Sequence, residues 1–502
     1  MNTNTESRAQ VIHILLGAMV LIGLFFRLVD LGAQSLWIDE GFSINAAQAI
    51  IAHGYPMLDS GKIYTSSPLN AYGIAGAIQV LGFDPFNPWT ARLPSAVFGI
   101  GVIALMYFFA LRIFQNKYFA LLAATLIAFS YWEIDWSRQA RGYIELQFFM
   151  LLALWQFWKW LEYYTLKNLA ASALAYAAAY ASHGIAVIFA PAFAVTFLAH
   201  YILNPQQKIK AYQLVIGTGS IALLGAIIIA PKLWGSTLYD FSASYIRFLF
   251  GDLRIITLVG IVGIILGIFD KKHFWPVIFL AIFLLFPLVV VMFYASTTQL
   301  RYLFPMFPFL TILALYAISR ATDLVFNMLR FNEARNSSNT LFVWSIIVVV
   351  AMLMFWGQLV FRPQNFYQSE FDSPRPDFKA AYALIAEQKQ ATDIVISPYA
   401  HLTKIYLGEK GMWLPISLTG KQSELKKTII DGKIDYYVGA PIVENTEHLQ
   451  SIIEQQNGYM IIDGMAKIRL GAQAFIIANH PNVTEIFHSG SARLNQIWVY
   501  KF

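Results

Sequence analysis

The sequence predicts a polytopic α-helical membrane protein with a C-terminal soluble α/β domain, and three observations predict it. The 502 residues are 58% hydrophobic and only 13% charged, about half the charged share of a soluble protein. Apolar runs long enough to cross a bilayer recur between residues 11 and 361, with Lys and Arg gathered in the short loops between them. Beyond residue 363 such runs stop, and ordinary charged residues, short β-rich stretches and helical patterns take over.

In chain order, residues 1–10 form a polar tail. A first span of about 20 residues begins at Val11; without a small-residue cleavage site it reads as an anchor rather than a signal peptide. Residues 33–90 are too broken by Gly, Pro and Asp to cross a membrane, and 42–52 and 69–81 within them have helical apolar spacing suited to interfacial helices. Further spans are expected at 92–114, 118–131, 142–165, 169–182, 184–203, 211–231, 252–269, 273–295, 301–320 and 341–361, about eleven in all. The run 169–203 is divided at Ser182-His183-Gly184 because it is too long for one crossing.

With the N-terminus in the cytoplasm, the inner loops carry Arg112, Lys117, Lys167, Lys208, Lys210, Lys271, Lys272, Arg320, Arg330 and Arg335, the positive-inside pattern. The other face then holds the 33–90 segment, 131–141, the His183 turn, 232–252, 296–301 and residues 363–502. The net charge of +6 therefore belongs to membrane topology and excludes a nucleic-acid partner. With no cysteine there is no disulfide and no thiolate metal site. The chain divides into a membrane domain, 1–362, with a large outer loop at 33–91, and an extracytoplasmic α/β domain, 363–502. In the latter, β-rich stretches at 393–397, 436–439, 474–478 and 496–500 alternate with helical patterns at 377–388 and 423–431.

The chemistry-bearing residues concentrate on the outer face. Asp39 and Glu40 follow the first span in Leu36-Trp37-Ile38-Asp39-Glu40-Gly41-Phe42, and ionisable groups at a bilayer edge are costly to keep there. Asp39 is the candidate catalytic base and Glu40 its partner; the alternative is that the pair caps the next helix. Arg138 and Arg141, three apart beside Glu133, Asp135 and Tyr143, share a face if the next span begins early. They suit an anion, or else snorkel to headgroups. Arg301-Tyr302 opens a later span in the same way, and Lys62 and Arg92 add cations. His183 is a candidate for the substrate pocket or a hydrogen-bonded interface residue. His401, His448, His480 and His488 have no metal-site spacing, so no divalent cation is marked by a motif.

The Asp-Glu pair, Arg92-Leu93-Pro94-Ser95-Ala96, Trp136-Ser137-Arg138-Gln139-Ala140-Arg141-Gly142-Tyr143, Arg301-Tyr302-Leu303-Phe304-Pro305 and Pro376-Asp377-Phe378-Lys379-Ala380-Ala381 together resemble the GT-C glycosyltransferases. The likeness covers most of the chain in order, nearest to the protein O-mannosyltransferase and aminoarabinose transferase branch. It implies an inverting hexosyl- or pentosyltransferase in a prokaryotic inner membrane. The sugar would pass from a polyprenyl phosphate to a hydroxyl on a protein, lipid or glycan at the extracytoplasmic face. It implies Asp39 as the catalytic carboxylate and donor phosphate held among Arg138, Arg141, Arg301 and Tyr302. The candidate site is completed by Glu40 beside Asp39, by Tyr143 and Lys62 toward the phosphate, and by a substrate pocket of Tyr64, Arg92, Asp135 and His183. One departure is the first loop: Tyr64-Thr65-Ser66-Ser67-Pro68 stands where the family often has a charged residue or His before two prolines. Lys62 is the substitute there. Competing readings are an oligosaccharide transferase of the same architecture, a flippase for polyprenyl-linked sugars, and a binding scaffold. The absence of a clear internal repeat and the gathering of ionisable residues at one face weigh against the flippase.

Overall fold

The computed structural model describes residues 3–203, 242–294, 299–328, 337–361, 376–415, 429–431, 433–471, 474, 477–491 and 493–502. The chain divides into two compact units, one of Met1–Arg27, Val97–Ser137 and Gly142–Pro363, the other of Leu28–Ala96, Arg138–Arg141 and Gln364–Phe502. The loop that chain order groups with the spans thus belongs to the same unit as the C-terminal region.

The first unit is helical, and its apolar helices make the chain an integral membrane protein. The expectation of about eleven crossings is corrected. Among the described residues five helices are long and apolar enough: Gln10–Leu28, Trp89–Phe114, Gly184–Leu203, Phe274–Phe293 and Leu300–Val325. A sixth results if Ser242–Phe250 and Arg254–Phe269, bent by 95° at their junction, form one span. The sequence count equated each apolar run with a crossing, and several runs fold otherwise. The 118–131 run stops as a helix at Phe129, where Ser130 turns extended, and Tyr131–Ser137 restarts as a separate short helix. The 142–165 run is a helix, Tyr143–Tyr163, but carries Glu145, Lys159 and Glu162. Leu166–Ser182, at 17 residues, ends where His183 goes extended and its Nδ1 accepts the Ile185 N–H at 3.2 Å. The 341–361 run falls on Ser337–Met354, of which Val343–Met354 is the apolar part. The expected span 211–231 lies outside the described residues.

The second unit is built on a five-stranded sheet of order β2-β1-β5-β7-β6, with β1 Ile394–Ser397, β2 Met412–Trp413, β5 Gly458–Asp463, β6 Thr484–Ser489 and β7 Ile497–Lys501. β1 pairs parallel with β2 and β5, whereas β7 runs antiparallel to β5 and β6. β5 is buried along its whole length, as an inner strand should be. A small antiparallel pair, β3 Ile429–Ile430 and β4 Ile434–Asp435, stands apart. The helices Ile38–His53 and Pro68–Leu81 share one buried cluster with this sheet and its helices, through Ile44, Ala47, Ile74, Phe378, Tyr382 and Tyr459.

Two expected β stretches are corrected. Residues 436–439 form a turn, because the Asp435 carboxylate takes the N–H groups of Tyr437 at 2.8 Å, Val438 at 3.2 Å and Ala440 at 2.6 Å, diverting them from any ladder. Ala474, Ile477 and Ala478 are helical, in keeping with alanine's helix propensity. Helix Phe378–Gln388 falls on the 377–388 pattern. Of the 423–431 pattern, residues 423–428 lie outside the described residues and 429–430 are strand.

Candidate active site

The two adjacent acids have opposite surroundings. Glu40 is fully buried and its carboxylate accepts four hydrogen bonds. Arg92 Nε and the Ala140 N–H reach Oε1 at 2.8 Å each, and Arg92 Nη2 and the Trp37 N–H reach Oε2 at 2.9 and 2.8 Å. The Trp37 bond lets Glu40, at the third helical position, satisfy the N–H of the residue that starts the helix. Glu40 therefore has the capping role weighed from sequence, and its remaining lone pairs tie two distant segments to the helix start. Arg92 is equally committed: its other three N–H groups go to the carbonyls of Leu31, Gln34 and Ser35 at 2.9–3.1 Å. All five of its donors serve the fold, which leaves none for a substrate.

Asp39 keeps 22% of its side chain exposed. Its ionic neighbour is Arg141, whose Nη2 lies 3.8 Å from Oδ2 and whose Nη1 donates to the Asp39 carbonyl at 3.1 Å and Ser43 Oγ at 3.2 Å. Arg138 and Arg141 do not share a helix face, because 138–142 is an irregular turn ahead of the Tyr143–Tyr163 helix. Arg138 instead donates to the carbonyls of Val29 at 2.6 Å and Asp30 at 3.1 Å. Lys62 is exposed, and Tyr64 is 4% exposed.

His401 and Tyr437, which sequence reasoning missed, lie within electrostatic reach of Asp39, with Phe42 stacked between them. His401, on helix Ala400–Leu407, donates from Nε2 to the Ile38 carbonyl at 3.0 Å; a carbonyl only accepts, so this nitrogen carries the proton. Burial pushes its pKa down to about 4, against the opposing pull of the Ile38 carbonyl and the Asp39 carboxylate. Phe42 stacks at 4.0 Å on both His401 and Tyr437. Burial pushes the Tyr437 phenol up to about 12, and it also feels Tyr64, Asp39 and Arg141. Asn45 Nδ2 donates to the His401 carbonyl at 3.1 Å. Gly41 permits this approach: a Cβ there would lie 2.6 Å from His401 Cδ2 and 2.7 Å from Leu402 Cδ2. No spacing in the sequence signals His401 or Tyr437, which stand some 360 to 400 positions from Asp39.

The remaining candidates lie in the membrane unit. Arg301, in the 3-10 turn Leu300–Met306, donates from Nε to the Tyr143 hydroxyl at 3.0 Å, and the Tyr143 ring lies 4.3 Å from that of His183. Tyr302 is partly exposed in the same turn, and Asp135 is buried in Tyr131–Ser137. Glu133, from that same short helix, is fully buried; its Oε1 accepts from Gln147 Nε2 at 2.9 Å, and burial pushes its pKa up to about 8. Among the described residues, no group of three or more His, Asp or Glu is gathered as a metal site.

The family described as dolichyl-phosphate-mannose-protein mannosyltransferase matches residues 65–234. No curated protein sequence matches the chain. Among solved structures, ArnT from Cupriavidus metallidurans matches at a TM-score of 0.58 and 14% identity, covering 98% of each chain in the apo state. Its complex with undecaprenyl phosphate matches at 0.58 and 14%, covering 96% of this chain and 97% of that one. The Archaeoglobus fulgidus oligosaccharyltransferase, tethered to an acceptor peptide, matches at 0.59 and 12%, covering 92% of this chain and 70% of that one. The fold is thus the GT-C fold that the sequence motifs resemble.

Proposed function

On the premise of this fold, we propose that the protein is an inverting glycosyltransferase that moves a sugar from a polyprenyl phosphate to a hydroxyl acceptor at the extracytoplasmic face. The observation that carries the reading is the split between the two acids: Glu40 is saturated by four donors, while Asp39 stays accessible beside Arg141. The undecaprenyl phosphate bound by ArnT and the mannosyl-phosphate donor in the matched family's description support the donor class. The acceptor peptide of the oligosaccharyltransferase and the same family description make a protein one acceptor kind to test.

In this mechanism the acceptor oxygen attacks the anomeric carbon from the face opposite the phosphate. The new C–O bond forms as the C1–O bond to phosphate breaks, and the phosphate leaves with the bonding pair. The acceptor proton passes to the Asp39 carboxylate, which overcomes the poor nucleophilicity of a neutral hydroxyl. The leaving group is already an anion and gains more from a fixed cation than from a proton; Arg141 supplies one beside Asp39. Glu40 and Arg92 are positioning residues that fix the start of the Asp39 helix. In the membrane unit, we propose Arg301, its Nε set by Tyr143, as a lipid-phosphate ligand in its own right. The basic inner loops support a cytoplasmic N-terminus.

The test is reconstitution in proteoliposomes with polyprenyl-phosphate-linked sugars. Cleavage of the donor, with transfer to acceptor or to water, supports a transferase; movement of the intact donor between leaflets without cleavage assigns a flippase instead.

A further inference from the structure

The segment holding Tyr64 and the turn holding Tyr437 are held together by contacts within the chain. Ser60 Oγ donates to the Tyr436 carbonyl, and the Tyr436 hydroxyl reaches the Ile63 carbonyl at 3.5 Å. Lys404 pairs with Asp59 at 2.7 Å. Gly439, at φ +65°, takes a backbone conformation that side-chain-bearing residues rarely adopt, and it faces the backbone of Asp59 and Ser60. Tyr437 is thereby laid on Phe42, one helical turn beyond Asp39, with the His401 ring 6.1 Å away. Tyr64 is buried, and its hydroxyl has no hydrogen-bond partner among the described residues. A buried hydroxyl left in that state costs about 1–3 kcal/mol, and such an atom calls for an explanation.

We propose that Tyr64 and Tyr437 form the acceptor subsite beside Asp39 and that it takes a hydroxyl carried on a sugar ring. This deepens the glycosyltransferase reading and rests on it. The two phenols offer donors and acceptors for the hydroxyls of a sugar. An extended peptide would instead seek main-chain partners, and the N–H groups of Tyr437, Val438 and Ala440 are already taken by Asp435. The phenols orient the acceptor oxygen; Asp39 takes its proton.

The experiment uses the full-length protein in proteoliposomes, with the polyprenyl-phosphate sugars extracted from its host as donor. The acceptors are the glycan and protein fractions of an envelope lacking this protein, supplied in separate arms. Tyr64→Phe and Tyr437→Phe keep both rings and remove only the hydroxyls. Each is expected to raise the half-saturating concentration of the glycan acceptor about tenfold, the worth of one directed hydrogen bond, with a smaller change in the transfer rate at saturating acceptor. The proposal is overturned if the half-saturating concentration is unchanged, if only the rate at saturating acceptor falls, or if sugar is transferred only to the protein fraction. A wild-type protein that cleaves no donor would overturn the glycosyltransferase reading itself, and this subsite with it.

Discussion

Arg92 grips Glu40 at two points, Nε on Oε1 at 2.8 Å and Nη2 on Oε2 at 2.9 Å, with both side chains fully buried. Removing one partner of such a pair strands the other charge in a low-dielectric interior. Glu40→Ala is expected to lower stability by about 3–5 kcal/mol, read as a fall in the thermal midpoint of the purified protein. Arg92→Ala should do the same, and the double variant should cost less than the two single changes added together, because both break one interaction. Additive losses would show that the two groups act separately.

Gly41 marks where helix Ala400–Leu407 meets the Asp39 helix. A methyl group there would meet His401 Cδ2 at 2.6 Å and Leu402 Cδ2 at 2.7 Å, so one side chain must move. Gly41→Ala is expected to cost about 1–3 kcal/mol as an overpacking change, even though alanine is the better helix former. A thermal melt no lower than wild type would remove the argument for close approach.

His401 gives the second unit a sensitivity to acid. Its folded pKa is about 4 against 6.5 unperturbed, mainly through burial. Below pH 6.5 the unfolded chain takes up a proton that the folded site refuses, so stability rises with pH through this window. Acidification from pH 7 to pH 4 should therefore remove up to about 3 kcal/mol, at about 1.4 kcal/mol for each unit of separation. His401→Gln keeps a donor without titrating and should flatten that part of the profile. A slope unchanged by this substitution would assign the sensitivity elsewhere.

The topology has a clean reporter, because the chain contains no cysteine. Ser66 is exposed in the loop before helix Pro68–Leu81. Ser66→Cys is expected to react with a membrane-impermeant maleimide in intact cells; labelling only after the membrane is permeabilised would invert the orientation.

The sequence carried some of this arrangement and not the rest, for physical reasons. Asp39 and Arg141 were legible because charge at a membrane edge is conspicuous in a chain with so few charges, and the two are ion-paired in the structure. The helical spacing at 42–52 and 69–81 likewise corresponds to helices. Arg92 looked like a spare cation because its partner, Glu40, lies 52 positions away, and nothing local reveals that all five donors are spent. Arg138 was misplaced on a helix because the chain makes an irregular turn over 138–142 before the Tyr143 helix begins. Tyr437 read as strand from its aromatic neighbours, whereas Asp435 captures three backbone donors and makes a turn. The span count failed because hydropathy reports which residues avoid water and not whether a helix is long enough to cross.

The central claim is that Asp39 is the base. Its most direct test is the initial rate of donor cleavage and transfer by Asp39→Asn in proteoliposomes, with donor binding and thermal midpoint measured on the same preparation. Asn matches the carboxylate in shape but accepts no proton, so the rate should fall by about 10²–10⁴-fold, the usual worth of a positioned base, with binding and midpoint nearly unchanged. Wild-type turnover by Asp39→Asn would contradict the account.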